Sequence, residues 1–151
     1  MAPVEVVAML QDIAADTFKF NDKVEAVEGR LLKLGWTELP CTHHFAHGVY
    51  FREGVIPKGH LIVGHAHRNE ELTIFFSGRL LLCVNGKVQE VVGPAVVKTP
   101  PGVRKVGYVL EEVRGGNIHF NPTDERDIVK VEEDMFLRSP TFKAFQQTQL
   151  T

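Results

Sequence analysis

The sequence predicts a mostly β fold: one antiparallel barrel or sandwich, preceded by helices and followed by a short C-terminal helix. Three observations carry this. From Trp36 onward, apolar runs of strand length alternate with turn residues. Asn85-Gly86 between two such runs is a hairpin signal, because a type I′ turn needs positive φ at both positions. Before Trp36, apolar residues recur instead at helical spacing. Many short strands at regular intervals favour a sandwich or barrel over a parallel sheet. The chain divides accordingly into a helical segment (1–36), a β unit (37–133) and a C-terminal tail (134–151) that packs on the β unit or a neighbouring subunit.

Taken in order, Pro3 suits a first helical turn, and Val6, Met9, Leu10 and Ile13 form the apolar stripe that follows. A second helix is expected from an N-cap at Asn21 or Asp22, through Val24, Val27, Leu31 and Leu34, to a C-cap at Gly35. These helices are expected to brace or cover the β unit, or to join an oligomer contact. His43-His44 belong to an initial strand. Further strands are expected over 47–56, 61–67, 72–76, 79–84, 87–92, 95–99, 104–110, 115–121 and 128–131. Pro57-Lys58-Gly59 and Pro100-Pro101-Gly102 mark turns between them. Ser139-Pro140 reads as the N-cap and first turn of the last helix, with Phe136, Phe142 and Phe145 requiring burial.

Composition is that of an ordinary globular domain: 44% hydrophobic and 24% charged residues in 151, with a formal net charge of -2. Nothing in that charge argues for a nucleic-acid or membrane surface, and no apolar run approaches spanning length. The two cysteines, Cys41 and Cys83, do not make a disulfide framework, and Cys83 sits in the apolar run LLLCV. A cytoplasmic location is expected.

The chemistry concentrates in GHLIVGHAHRNEELTIFFSG, residues 59–78. His65 and His67 are two apart, which on a strand puts both on one face. Glu71 follows after the polar Arg68-Asn69, and glycines at 59 and 78 suit tight turns. Imidazoles and a carboxylate together suit a divalent transition metal. The spacing G-x5-H-x-H-x3-E-x6-G resembles the first signature of the cupin superfamily at each fixed position. That resemblance implies a small jelly-roll β-barrel with a metal inside, iron, manganese, zinc or nickel, and frequent association into homo-oligomers through sheet edges. Residues 42–133 further resemble small single-domain cupins of phage and prophage genomes, which implies host cytoplasm or virion as the setting and phage structural proteins as partners.

The second cupin signature, G-x5-P-x-G-x2-H-x3-N, is broken here. Gly93 and Pro100-Pro101-Gly102 correspond to its first half with one extra residue, and Lys105 then stands in the place of the histidine and Val109 in that of the asparagine. A protonated lysine offers no lone pair to a metal. Three arrangements stay open: a three-ligand site of His65, His67 and Glu71; recruitment of His119 from a late strand as the missing ligand; or no metal, with Lys105 paired to Glu71 inside the barrel. Strand alternation places Glu71 with Thr73 and Phe75 on one face and leaves Glu70 to solvent. Tyr50, Tyr108 and Arg52 are candidates to line a pocket, with Lys105 and Tyr50 the candidate catalytic groups. His43, His44, His47 and His60 are read as hydrogen-bonded or surface groups. Two functions follow. One is a metal-dependent enzyme of oxygenase, isomerase or lyase type acting on a small polar molecule. The other is a non-catalytic cupin that binds a small ligand or serves as a structural subunit.

Overall fold

The computed structural model describes residues 2–84 and 86–150. Helices α1 (Val4–Ala15) and α2 (Phe20–Leu34) come first. They are followed by β1 (Cys41–Ala46), β2 (Val49–Ile56), β3 (Leu61–Val63), β4 (Ala66–His67), β5 (Glu71–Val84), β6 (Lys87–Val92), β7 (Ala95–Thr99) and β8 (Val106–Phe120). The chain ends with α3 (Ile128–Met135), β9 (Phe136–Leu137) and α4 (Pro140–Gln149). The mostly β, antiparallel expectation, with helices ahead of the strands and a short helix after them, is the observed architecture.

Two long strands organise the sheet. β8 pairs with β2 and β3 on one side and with β5 on the other, while β5 also pairs with β7 through its first half and β6 through its second. The sequence predicts a break in each, at Ser77-Gly78 and over 111–114, yet both run through. Register shifts between Phe75 and Leu80 absorb the bend instead. Gly78 has φ +98°, and a Cβ there would run into the Glu112 carbonyl. The bend curls the sheet on itself: Ile56 of β2, Ile62 of β3, Leu80 of β5, Val91 of β6, Val97 of β7 and Val109 of β8 meet in one apolar cluster. That cluster is the interior of the roll.

The outer face of one half of the roll is covered by the N-terminal helices. Leu10, Ile13 and Ala14 of α1 and Val24 and Val27 of α2 bury Cys83 and Val106, with Leu81, Val88 and Tyr108 packed alongside. Cys83 donates to the Leu10 carbonyl at 3.4 Å, and burial pushes its thiol up to about 11. Cys41 is partly exposed. A thiol reagent at neutral pH is therefore expected to label Cys41 in the folded protein and Cys83 only after unfolding, as peptide mapping would report.

Other elements also differ from expectation, and α2 starts at Phe20 behind Lys19, not from a cap at Asn21 or Asp22. The segment at 128–131 is helix α3, not strand. Asp127 caps it by accepting from the Val129 and Lys130 N–H groups, and Val131 and Met135 bury one side of it. A β-branched run can thus be read as either element until its cap and its burial are known. The expected strand at 61–67 is interrupted after Val63, with consequences described below. His47 and Gly48 form the β1–β2 turn, so the strand expected from 47 starts at Val49. Val84 pairs with Lys87 and Gly86 has φ +81°, as the hairpin reading requires, although Asn85 lies outside the described residues.

Candidate metal centre

Glu71 opens β5, and alternation along that strand sends Glu71, Thr73 and Phe75 into the roll, all of them buried. Glu70 points the other way and pairs with Lys98 at 2.7 Å on the surface. β8 lies beside β5 with Asn117 opposite Thr73, and the Thr73 hydroxyl donates to Asn117 Oδ1 at 2.8 Å. Two residues on, His119 shares the inward face, and its Nδ1 lies 3.5 Å from Glu71 Oε2. His67 arrives from β4, held by pairing with β9 and by the bond from Gly102 N–H to its carbonyl at 2.9 Å; its Nδ1 contacts the same Glu71 oxygen. Lys105 enters after the Pro100-Pro101-Gly102 turn, fixed by its carbonyl accepting from Gly64 N–H at 2.8 Å, and its ammonium contacts Glu71 Oε1.

His67, Glu71 and His119 thus converge, with one ligand atom from each lying within 4.8 Å of the others. All three are at most 6% exposed. Burial pushes both imidazoles down to about 3, helped at His119 by His67 and at both by the Lys105 and Arg52 charges. At neutral pH they are uncharged and keep a lone pair, the state a metal ligand needs. His119 Nε2 is buried with no hydrogen-bond partner among the described residues. Two neutral imidazoles and a carboxylate fit a divalent transition metal. The one discordant group is Lys105, which burial lowers to about 8 but which supplies Glu71 with a counter-charge without any metal.

Beside the group lies a void of about 10 Å³ lined by His67, His119 and Met135, room for roughly one water. The end of the roll is stoppered by α3 and β9. The Phe136 ring packs 5.1 Å from His67, and the guanidiniums of Arg52 and Arg138 lie over it at 5.4 and 5.5 Å. Glu132 faces both arginines, at 3.8 and 3.9 Å. The requirement that Phe136 be buried was visible in the sequence; that it would close the site was not, because α3 was read as a strand.

His65 is placed outside the group. The argument that it shares a face with His67 needs one unbroken strand, and the chain leaves β8 at Gly64 to pair Ala66 and His67 with β9. The His65 ring instead packs edge-on against Phe142 at 4.5 Å and beside Phe136 at 5.4 Å. It lines a separate cleft of about 410 Å³ between α2 and β3, with Leu31, Trp36 and Leu61. Burial lowers it to about 4, with Arg104 adding to the effect.

Tyr50 is fully buried opposite His119 on β2, its ring stacked at 5.7 Å on that imidazole and its hydroxyl 2.6 Å from His43 Nδ1. Burial pushes the phenol up to about 12. His44 is held by Glu53 at 2.9 Å, and His47 is exposed. Tyr108 packs against the N-terminal helices, and Arg52 belongs to the stopper. Sequence reasoning missed Arg104, which is buried against Glu28 one residue before Lys105.

No family model matches the chain, and no curated protein matches it in sequence. Among solved structures, it is similar to a cupin superfamily protein of Desulfitobacterium hafniense, with TM-score 0.49 and 10% identity over 61% of this chain and 85% of that one. A cupin domain from Schizosaccharomyces pombe gives TM-score 0.49 and 18% identity over 58% and 68% of the two chains. A cupin-2 conserved barrel domain protein of Salinispora arenicola gives 0.48 and 19% over 64% and 82%. The neighbours are cupins, and the chain holds by its own geometry a buried His67–Glu71–His119 group able to take a metal.

Proposed function

We propose that the protein holds one divalent transition metal inside the roll through His67, Glu71 and His119, as a closed binding or structural centre. The convergence of those three buried donors carries the reading. A metal bound there would supply a Lewis acid and a cross-link between β4, β5 and β8. The chain's own groups do the rest: Tyr50 orients His119 by stacking, Asn117 and Thr73 fix the strand pair below it, and Phe136 with Met135 excludes water. The void beside the donors has room for about one water, and we read the centre as a binding or structural one. The setting we propose is a rigid binding or assembly subunit, in keeping with the likeness of residues 42–133 to small phage proteins.

The contact between Lys105 and Glu71 favours a second reading, in which the ion pair itself fills the centre and no metal is held. Elemental analysis of untagged protein separates the two. About one equivalent of metal per chain is expected, lost in His119→Ala and in Glu71→Gln and retained in His65→Ala. A well-folded, metal-free protein that gains none on incubation would replace the first reading with the second.

A further inference from the structure

His65 is the motif histidine that the metal group leaves unused, and it lines the cleft of about 410 Å³ between α2 and β3. That volume lies within the range of small-molecule sites. The walls come from four parts of the chain: Leu31 and Leu32 of α2, Trp36 just past that helix, Leu61 of β3 and Phe142 of α4. Trp36 is 50% exposed, yet its ring is held edge-on by Phe142 at 6.3 Å and Phe145 at 5.8 Å. Among the described residues lining the cleft, Glu28 is the one carboxylate and there is no lysine or arginine. Arg104 already pairs with that carboxylate at 2.5 Å. His65 Nδ1 is buried and has no hydrogen-bond partner among the described residues. Burial, with the Arg104 charge adding to it, keeps this imidazole neutral at neutral pH.

We infer that this cleft binds a neutral aromatic molecule of one or two rings that carries a hydroxyl group. The volume sets the size. The walls set the aromatic character, because Trp36 and Phe142 offer ring contacts to a ring and the leucines offer apolar area. The charges set neutrality. An anion entering the cleft would find no cation free and would meet Glu28, while a cation would find that carboxylate already bonded by Arg104 and Ser139. The hydroxyl follows from His65. A neutral imidazole holds one N–H and one lone pair, and a hydroxyl both donates and accepts, so it can bond either nitrogen in either tautomer. The cleft is separate from the His67–Glu71–His119 group, and its ligand does not depend on a metal there.

Calorimetric titration of the purified chain with naphthol at neutral pH tests the inference, the probe being two fused rings, uncharged, with one hydroxyl. Binding to one site per chain is expected, with a dissociation constant on the order of 0.1 mM for so few atoms. Naphthoate, the same rings with a carboxylate, should bind about tenfold more weakly or worse. Leu32→Trp adds bulk to the α2 wall with every other wall residue in place, and should weaken naphthol about tenfold or more. His65→Phe keeps a ring against Phe142 and removes the hydrogen bond. It should weaken naphthol about tenfold and leave naphthalene bound as by the wild type. Both variants are expected to keep the circular dichroism of the parent, and because they alter different walls either one alone reads the cleft. A wild-type chain that takes up no naphthol overturns the inference, as does naphthoate bound as tightly as naphthol. Naphthol bound equally by the wild type and by either variant places the probe elsewhere on the molecule and also overturns it.

Discussion

Arg104→Met is expected to lower the free energy of unfolding by about 3–5 kcal/mol, because it leaves a buried carboxylate without its counter-charge. The Arg104 and Glu28 side chains are each 5% exposed. The guanidinium donates to both Glu28 oxygens, at 3.1 and 2.5 Å, and its Nε donates to the Gly64 carbonyl at 2.8 Å. Glu28 in turn accepts from the Ser139 hydroxyl at 2.5 Å, and that hydroxyl caps α4 by accepting from Phe142 N–H at 3.0 Å. One ion pair therefore ties α2, the point where the chain leaves β3, and the start of the last helix. After the substitution the Ser139 hydroxyl is the donor left to the Glu28 carboxylate among the described residues. Urea denaturation should show the loss, and replacing Glu28 as well with Met should recover much of it, since the pair removed together leaves no orphan. The exposed pair of Arg79 with Glu90 and Glu111 should show no comparable effect, because solvent screens it. If Arg104→Met unfolds at the same urea concentration as wild type, the pair does not join those elements.

What could be read in the sequence was whatever depends on alternation within an unbroken element. Glu71, Thr73 and Phe75 face inward and Glu70 outward because β5 runs straight through them. The helix stripes of α1 and α2 and the Ser139 cap were legible for the same local reason. His119 was nameable as a replacement ligand only because a roll brings distant strands together; its two-residue offset from Asn117 then decides its face. Legibility fails where tertiary contacts override a local pattern. His65 and His67 alternate correctly on paper, but β3 ends at Val63 and the next strand starts at Ala66. His65 therefore lies in the connection after Gly64, whose N–H bonds to the Lys105 carbonyl, and only His67 lies on a strand. Gly115-Gly116 looked like the start of a new strand. In the fold a Cβ at either would strike the Ile74 or Arg52 carbonyl, so the glycines admit the close approach of β5 and β2 to an uninterrupted β8. The Arg104–Glu28 pair spans 76 residues and has no local signature.

Lys105→Met is expected to make the stability of the protein depend on metal. With its chelated metal removed, the variant should lose about 3–5 kcal/mol, because Glu71, whose side chain is 1% exposed, would keep a charge faced by the neutral imidazoles of His67 and His119 and by no counter-charge in contact. The same substitution removes the cation that competes for Glu71, so a divalent ion should bind more tightly and restore stability. At a hundredfold excess of free ion over the dissociation constant that restoration is about 2.7 kcal/mol. Thermal unfolding of wild type and variant, each with chelator and then with zinc or manganese, reads both effects. Glu71→Gln supplies the contrast. It strands the ammonium in place of the carboxylate, but burial already brings Lys105 down to about 8, so the lysine can shed its proton and the loss should be smaller. It also removes a donor, so metal should restore nothing. A Lys105→Met protein as stable as wild type in chelator, and unmoved by metal, would show that neither the ion pair nor a metal holds β5 and β8 together at this end. The prediction is asymmetric because the donors are: His67 and His119 are neutral with or without a metal, and only the charge on Glu71 must be balanced from outside the group.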